Sequence, residues 1–442
     1  MKDKYNIIII FFAVIISRLP FLWNSPGIDP DNWLVLETGK QIAETGVYRA
    51  SRLPGYPVSE YLSAFFGTYA WLVLNFVSAF FTAFSCIVFY KILEEFRADS
   101  KLMTTLALGF IQSVFIASTN NMEYTWALFF LLTALWLLLK KKLIPAGLAL
   151  GIMISIRFTN ILFLIPILYF LYYVADVKSI KKYFIIYFFA TLAFLFVHLP
   201  VLTTYSYHLF PDTGSETVSL KTIISQYTLH IYGFLGLCGV VLALVHLIVY
   251  NKSTIENFRK NSTLIIFSGL MIFTTTILYI RFPFESYYNL PLVPFVILIF
   301  SLLMKNAVIK KIVFVSFIIS PFLFYLSANK FQIKGAIFVN EQMENDFLDY
   351  TKSINTHFSE IAKEKKLLIA GGFYNCYLYN FTTKNTRVKI YKRPTEELLN
   401  YYKSKNYSIF YPCSVKDEIK DFHNYDISKY GEQIMDPFSF DR

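Results

Sequence analysis

Few residues in this chain could perform chemistry, and most of them gather on what the charge pattern makes the outer side. Asp29 and Asp31 follow the first apolar stretch, and Glu37, Glu44, Glu60, Glu123, Asp212, Glu216 and Glu285 fall on the same side. A carboxylate in a partly desolvated pocket can accept a hydroxyl proton. Arg49, Arg52, Arg157 and Arg281 share that side, and a guanidinium holds an anion through paired N–H donors in fixed geometry. Proton transfer beside a bound anion is therefore the chemistry on offer. Other chemistries are poorly supplied. The four cysteines lack CxxC spacing, which excludes a zinc ribbon, haem attachment or a disulfide-rich scaffold. His198, His208 and His230 lack HxxxH spacing and read first as loop or helix-end contacts; Lys221 is a weaker anion candidate.

The elements that must position these residues are apolar helices. Of 442 residues, 55% are hydrophobic, 19% aromatic and 16% charged, against about 25% charge in a soluble domain. Residues 1–328 hold 24 Lys+Arg and 15 Asp+Glu, whereas the shorter stretch 329–442 holds 17 and 15. This predicts a membrane part and a water-exposed tail. Stretches of the roughly 20 apolar residues needed for a span fall near 5–23, 69–90, 101–118, 123–139, 143–157, 158–174, 183–202, 229–250, 262–280, 287–304 and 311–328. Basic clusters at Lys91/Arg97/Lys101, Lys140–Lys142, Lys178/Lys181/Lys182, Lys252/Arg259/Lys260 and Lys305/Lys310/Lys311 all land on the side of Met1. By the positive-inside rule the amino end is cytoplasmic and the tail outside. The first span lacks a small-residue cleavage site and is expected to stay as an anchor, with Arg18 snorkelling to headgroups. The net charge of +11 sits in short clusters rather than a continuous stripe, so nucleic acid is not an expected partner.

The first outer loop, 24–68, carries an amphipathic helix from Asp31 to Gly46, expected to lie on the membrane surface. Asp31, or Asn32, has a plain reading as its N-cap. Glu123 likewise reads either as an acid favoured by a helix N-terminus or as a site residue for acceptor or metal. After Gly46, Arg49 and Arg52 lead into Pro54-Gly55-Tyr56-Pro57, a rigid turn back to the bilayer.

The order of Asp31, a helix ending at Gly46, and Pro54-Gly55-Tyr56-Pro57 resembles the GT-C superfamily of polytopic glycosyltransferases, which includes protein O-mannosyltransferases, aminoarabinose transferases and bacterial mannosyltransferase-like proteins. Ala146-Gly147-Leu148-Ala149-Leu150-Gly151, followed by Arg157 and Pro166, is similar to that family's AGLxxG…(R/K)…P segment, and Glu123 to its acid at the start of the fourth span. Relatives often carry Asp-Glu where this chain has Asp31-Asn32, so the resemblance reaches the superfamily and no subfamily. It covers roughly residues 5–200. Together with the apolar stretches and the charge-rich tail it leads to an expected mainly α, GT-C-like fold: a bundle of about eleven transmembrane helices over 1–328 with a small extracytoplasmic α/β domain over 329–442. It also implies a sugar donor on a polyprenyl phosphate and an inverting transfer to a lipid-linked glycan, lipid or protein acceptor. In that reading Asp31 is the base, with Asp29 able to share or exchange its role. Arg157, Arg52, Arg49 and Arg281, or a divalent cation, stabilise the departing phosphate, and Glu123 serves acceptor or metal. The 46 Phe and 32 Tyr permit an apolar groove for the prenyl chain.

In the tail, 341–364 reads as an amphipathic helix, followed by strands at Leu367–Ala370, Val388–Tyr391 and Ser408–Tyr411 with a helix near 394–405. A parallel α/β sheet is expected. Gly371-Gly372 is not GxGxxG, so a dinucleotide site is not read there, and Cys376 with Cys413 is expected to be able to pair. The rival functions are transfer of a preassembled glycan by a ligase or oligosaccharyltransferase-type enzyme, and lipid or solute transport, which usually leaves ionisable residues mid-span.

Overall fold

The computed structural model describes residues 2–205, 218–283, 286–326, 331–370, 387–391, 394–412 and 425–434. His208, Asp212, Glu216, Glu285, Gly371, Gly372, Cys376 and Cys413 lie outside them. The chain is mainly helical. In order come α1 (Lys2–Arg18), α2 (Pro30–Thr45), α3 (Pro57–Phe66), α4 (Ala70–Glu95), α5 (Lys101–Phe110), α6 (Gln112–Ala117), α7 (Tyr124–Leu139), α8 (Leu143–Ile156) and α9 (Leu164–Tyr169). They are followed by α10 (Ile180–Tyr205), α11 (Leu220–Tyr227), α12 (Leu229–Val249), α13 (Asn251–Lys260), α14 (Ser262–Arg281), α15 (Val293–Leu303), α16 (Ala307–Ile319), α17 (Ala336–Glu364) and α18 (Glu396–Ser404). Among the described residues six helices are long and apolar enough to cross a membrane: Asp3–Phe21, Pro57–Glu95, Ile180–Tyr205, Leu229–Val249, Ser262–Arg281 and Ser286–Leu303. Four more apolar helices are shorter: Lys101–Phe110, Tyr124–Leu139, Leu143–Ile156 and Phe158–Val174.

The helices that carry the site are set by close packing. α8 lies against α7 on one side and α10 on the other. Gly147 and Gly151 make the second contact possible, because a Cβ at Gly147 would stand 2.4 Å from the Ile186 carbonyl oxygen and one at Gly151 2.2 Å from that of Ala190. This is the small-residue packing that lets apolar helices approach backbone to backbone. The Ala-Gly-Leu segment thus works by fixing α8, whose end delivers Arg157. Gly46 ends α2 in the left-handed conformation, φ 68°, with its N–H bonded to the Ile42 carbonyl, as helix C-caps require.

Two expected spans are reshaped. The stretch 101–118 breaks at Ile111, which is extended at φ −57°, ψ 142°. Arg18 fills the break rather than reaching headgroups: it is fully buried, its Nε donates to Ser118 Oγ at 3.1 Å, its Nη2 to the Gly109 carbonyl, and its guanidinium lies 4.0 Å from the Phe115 ring centroid. A carbonyl left over at a broken helix needs such a donor. The stretch 311–328 is helical only to Ile319; beyond Pro321, β1 (Leu323–Leu326) pairs antiparallel with β2 (Phe331–Lys334), so a hairpin straddles residue 328.

The C-terminal sheet is parallel throughout, in the order β4-β3-β5-β6, from β3 (Lys366–Ala370), β4 (Val388–Tyr391), β5 (Tyr407–Pro412) and β6 (Glu432–Ile434). Strand alternation divides its two cores. Leu367, Ile369 and Phe410 pack with Phe358 of α17, while Leu368, Ile409 and Tyr411 pack with Leu399 and Tyr402 of α18.

Candidate functional site

The loop 24–68 folds onto the start of α7, the end of α8 and the amino-terminal half of α17. Its helix is more deeply set than one lying on a surface, because Val35 packs with Leu74, Trp126 and Ile156 on one side and Trp33 with Phe347 of α17 on the other. The cap of α2 is Asp29, whose Oδ1 accepts from the Asp31 N–H at 2.8 Å, with Pro30 as the first helical residue. The N-cap position read for Asp31 or Asn32 thus falls to Asp29, and Asp31 is freed to point its carboxylate elsewhere. Asn121 Nδ2 donates to the Asn32 carbonyl at 3.0 Å, which ties the start of α7 to the start of α2.

Asp31 Oδ2 lies 2.9 Å from Arg52 Nε. The Nη2 of Arg52 lies 2.9 Å from Glu123 Oε1, and that same oxygen takes Arg157 Nη1 at 2.9 Å. Residues 31, 52, 123 and 157 therefore form one chain of charges. Glu123 and Arg157 are buried, at 1% and 4% exposure, whereas the Asp31 side chain is 28% exposed. The cluster opens to solvent at its acid end. Aromatic rings line its cationic end: the Arg52 guanidinium lies 3.8 Å from the Tyr56 ring centroid, and that of Arg157 lies 4.0 Å from Tyr124 and 4.8 Å from Tyr288. Two polar atoms inside, Arg52 Nη1 and Glu123 Oε2, are buried without a hydrogen-bond partner. A buried donor and acceptor left open cost about 1–3 kcal/mol each, so this is where a ligand's polar atoms would be accepted.

Glu60 holds the turn that presents Arg52. It is fully buried; Oε1 accepts from the N–H and Oγ of Ser51 at 2.7 and 2.6 Å, and Oε2 from Tyr48 Oη at 2.5 Å and the Tyr56 N–H at 3.3 Å. Both flanks of Arg52 are thereby bound to one carboxylate. Burial, and then the neighbouring Asp31, push the Asp29 carboxyl up to about 7. Burial works against the Arg52 cation, but the Asp31 and Glu123 carboxylates outweigh it and hold its pKa well above the ordinary value.

Of the expected site residues, the fold brings together Asp29, Asp31, Arg52, Glu123 and Arg157. It does not join Arg49 and Arg281 to them. Arg49 is exposed and donates to Gln41 Oε1 at 2.9 Å; Arg281 is exposed at the end of α14, 5.1 Å from the Phe282 ring centroid. His198 is buried against Phe194, with ring centroids 4.6 Å apart, and Lys221 is exposed on α11. Among the described residues no three His, Cys, Asp or Glu side chains converge, and one oxygen each of Asp31 and Glu123 is taken by a guanidinium group. Glu60 was named only among the outer-side acids and Tyr56 only as part of the turn, neither with a role at the site, and Tyr124 and Tyr288 were not singled out by the sequence. An acid four residues after Tyr56, on the first turn of a helix led by Pro57, is the one local signal for Glu60; the tyrosines had none.

Compared with known proteins, the chain matches no family model, and none of the curated proteins matches it.

Proposed function

We propose that this chain is an integral membrane glycosyltransferase of the GT-C kind, moving a sugar from a polyprenyl-phosphate donor to an acceptor outside the cytoplasmic membrane. Its amino end is cytoplasmic, and residues 329–442 form the extracytoplasmic domain. The observation that carries the reading is the convergence of Asp31, Arg52, Glu123 and Arg157, four residues scattered over 127 positions, into a cluster with one solvent-reaching acid and one buried open donor. Glycosyl transfer from a phosphate asks for those two features. As the acceptor oxygen bonds to the anomeric carbon, its proton passes to a carboxylate; the bond from that carbon to the phosphate oxygen breaks, and its electron pair leaves with the phosphate. Inversion follows from a single displacement.

The Asp29–Asp31 pair supplies the carboxylate. Asp31 is engaged by Arg52, whereas Asp29, lifted to about 7, has a proton affinity suited to a base working near neutrality. The proton is therefore assigned to the pair, Asp29 able to carry it while Asp31, the acid that reaches solvent, also orients Arg52. Arg52 through Nη1, with Arg157 behind it, receives the departing phosphate. Short-chain prenyl-phosphate sugars and membrane extract, combined with the protein in proteoliposomes, test the reading. Release of prenyl phosphate that wild type supports and Asp29→Asn and Asp31→Asn do not would bear it out. Release unaffected by both substitutions would refute it, and a carboxyl-terminal reporter found in the cytoplasm would overturn the sidedness.

A further inference from the structure

The acid-bearing loop is held from outside the bundle. Ser25 Oγ, at 2% exposure, donates to Glu344 Oε2 of α17 at 2.8 Å and accepts from the Gly27 N–H at 2.9 Å. The Gly27 carbonyl in turn accepts from Trp33 Nε1 at 2.9 Å. Trp33 stacks edge-to-face on Phe347, one turn along α17 from Glu344, with ring centroids 5.9 Å apart; Ile28 and Leu348 complete the contact. Glu344 itself is 4% exposed, and its other oxygen accepts from Asn340 Nδ2 at 2.6 Å. No cation contacts it among the described residues. A buried carboxyl spent on one serine of another domain is an expensive way to hold a helix, unless the loop's position matters.

We propose that Glu344 is a positioning residue for the acid pair: through Ser25 it fixes the segment Ser25–Asp29, and so places Asp29 and Asp31 under the control of the C-terminal domain. This rests on the reading of those two acids as the site. Burial pushes the Glu344 carboxyl up to about 7, so the docked arrangement favours the protonated form and loosens as pH rises. Of the charged neighbours, Glu341 on α17 is the one that adds to the burial effect on Glu344; α17 also carries Asp346 and Asp349 close by in sequence, Asp29 and Asp31 stand at the start of α2, Tyr325 is on β1, Lys366 is on β3, and α6 carries no titratable group. A shift from 4.5 to about 7 weakens docking about tenfold between pH 6 and pH 8 by linkage.

Hydrogen exchange of the amides in residues 24–33, measured on the full chain in detergent and corrected for intrinsic rates, tests this without any substrate. Wild type should exchange about tenfold faster at pH 8 than at pH 6. Glu344→Gln, neutral and similar in shape, should stay slow at both; Glu344→Leu, unable to accept from Ser25, should be fast at both. Retention of the tenfold pH effect in Glu344→Gln would assign it to Asp29 and overturn the proposal. So would wild-type protection in Glu344→Leu, and if that variant failed to fold, the glutamine result would still decide. Farnesyl phosphate binding to wild type is measured in parallel: its absence would sink the donor reading while leaving the exchange result standing.

Discussion

Arg157→Gln is the substitution whose outcome separates a ligand-binding guanidinium from a lipid anchor. Arg157 is 4% exposed and gives one N–H to Glu123 at 2.9 Å, a charge-assisted bond of about 1.5–3 kcal/mol. It also lies 4.0 and 4.8 Å from the rings of Tyr124 and Tyr288, contacts worth about 0.5–2 kcal/mol each. Glutamine loses most of both. Yet Glu123 keeps Arg52, so no carboxylate is orphaned, and relief from burying a cation offsets part of the loss; a net destabilisation of about 1–3 kcal/mol follows. The effect on an anionic ligand is larger in kind. Losing a buried charged contact costs about 2–5 kcal/mol, and the lower figure already weakens binding about thirtyfold. Lysine restores charge toward Glu123 without the planar surface that stacks on tyrosine, so Arg157→Lys should recover only part. The assay is farnesyl phosphate binding by calorimetry on folded protein, with thermal melts alongside. Wild-type affinity in Arg157→Gln would refute the assignment and leave Arg52 as the sole phosphate group.

The Asp29 carboxyl, held near 7 against an ordinary 3.8, makes the fold bind a proton the unfolded chain has released, so stability should fall as pH rises from about 4 through 7. Turnover should rise through the same upper limb as the base form appears. In Asp29→Asn the turnover slope should vanish and the stability slope should lessen to the part that belongs to Glu344, also held near 7; melts and pH–rate profiles both unchanged by the substitution would contradict this. Arg18→Ala strips the donors from Ser118 and the Gly109 carbonyl; at about 1–3 kcal/mol for each buried group left open, melting should drop clearly, whereas a headgroup anchor would leave it unchanged. Gly151→Ala puts a methyl 2.2 Å from the Ala190 carbonyl oxygen. Overpacking of about 1–3 kcal/mol is expected, together with weaker farnesyl phosphate binding as the end of α8 moves, and intact binding would separate that packing from the site.

What the sequence made legible followed from patterns that are local. Apolar runs located the helices, period-two strands near Leu367 and Ile409 announced a sheet that is indeed parallel, the loop order after the first span marked Asp31 and its outward side Arg52, the Ala-Gly-Leu segment marked Arg157, and the start of the fourth apolar run marked Glu123. What stayed hidden depended on partners distant in the chain. That Asp29 rather than Asp31 caps α2 turns on Pro30 opening the helix two residues earlier than a cap at Asp31 would. Arg18 looked like a headgroup anchor because its residue type and height suit one; its burial depends on a break at Ile111, for which Gly109, two residues earlier, is a weak local sign in a stretch that otherwise reads as one apolar run. The run from Pro321 onward is apolar enough for a helix end, yet pairs as a hairpin, since hydropathy cannot tell a short strand from a helical turn. Arg49 and Arg281 shared side and type with Arg52 and Arg157, and only the fold separated the pairs.

The most direct test of the account is the lipid that accompanies the protein. Asp29→Asn, purified from cells that make polyprenyl-phosphate sugars and extracted for mass spectrometry, should carry the intact donor, trapped because its leaving phosphate is bound while no base accepts the acceptor's proton; Arg157→Gln from the same cells should carry none. Finding only bulk phospholipid in Asp29→Asn, or equal amounts of a polyprenyl-phosphate sugar in both variants, would contradict it.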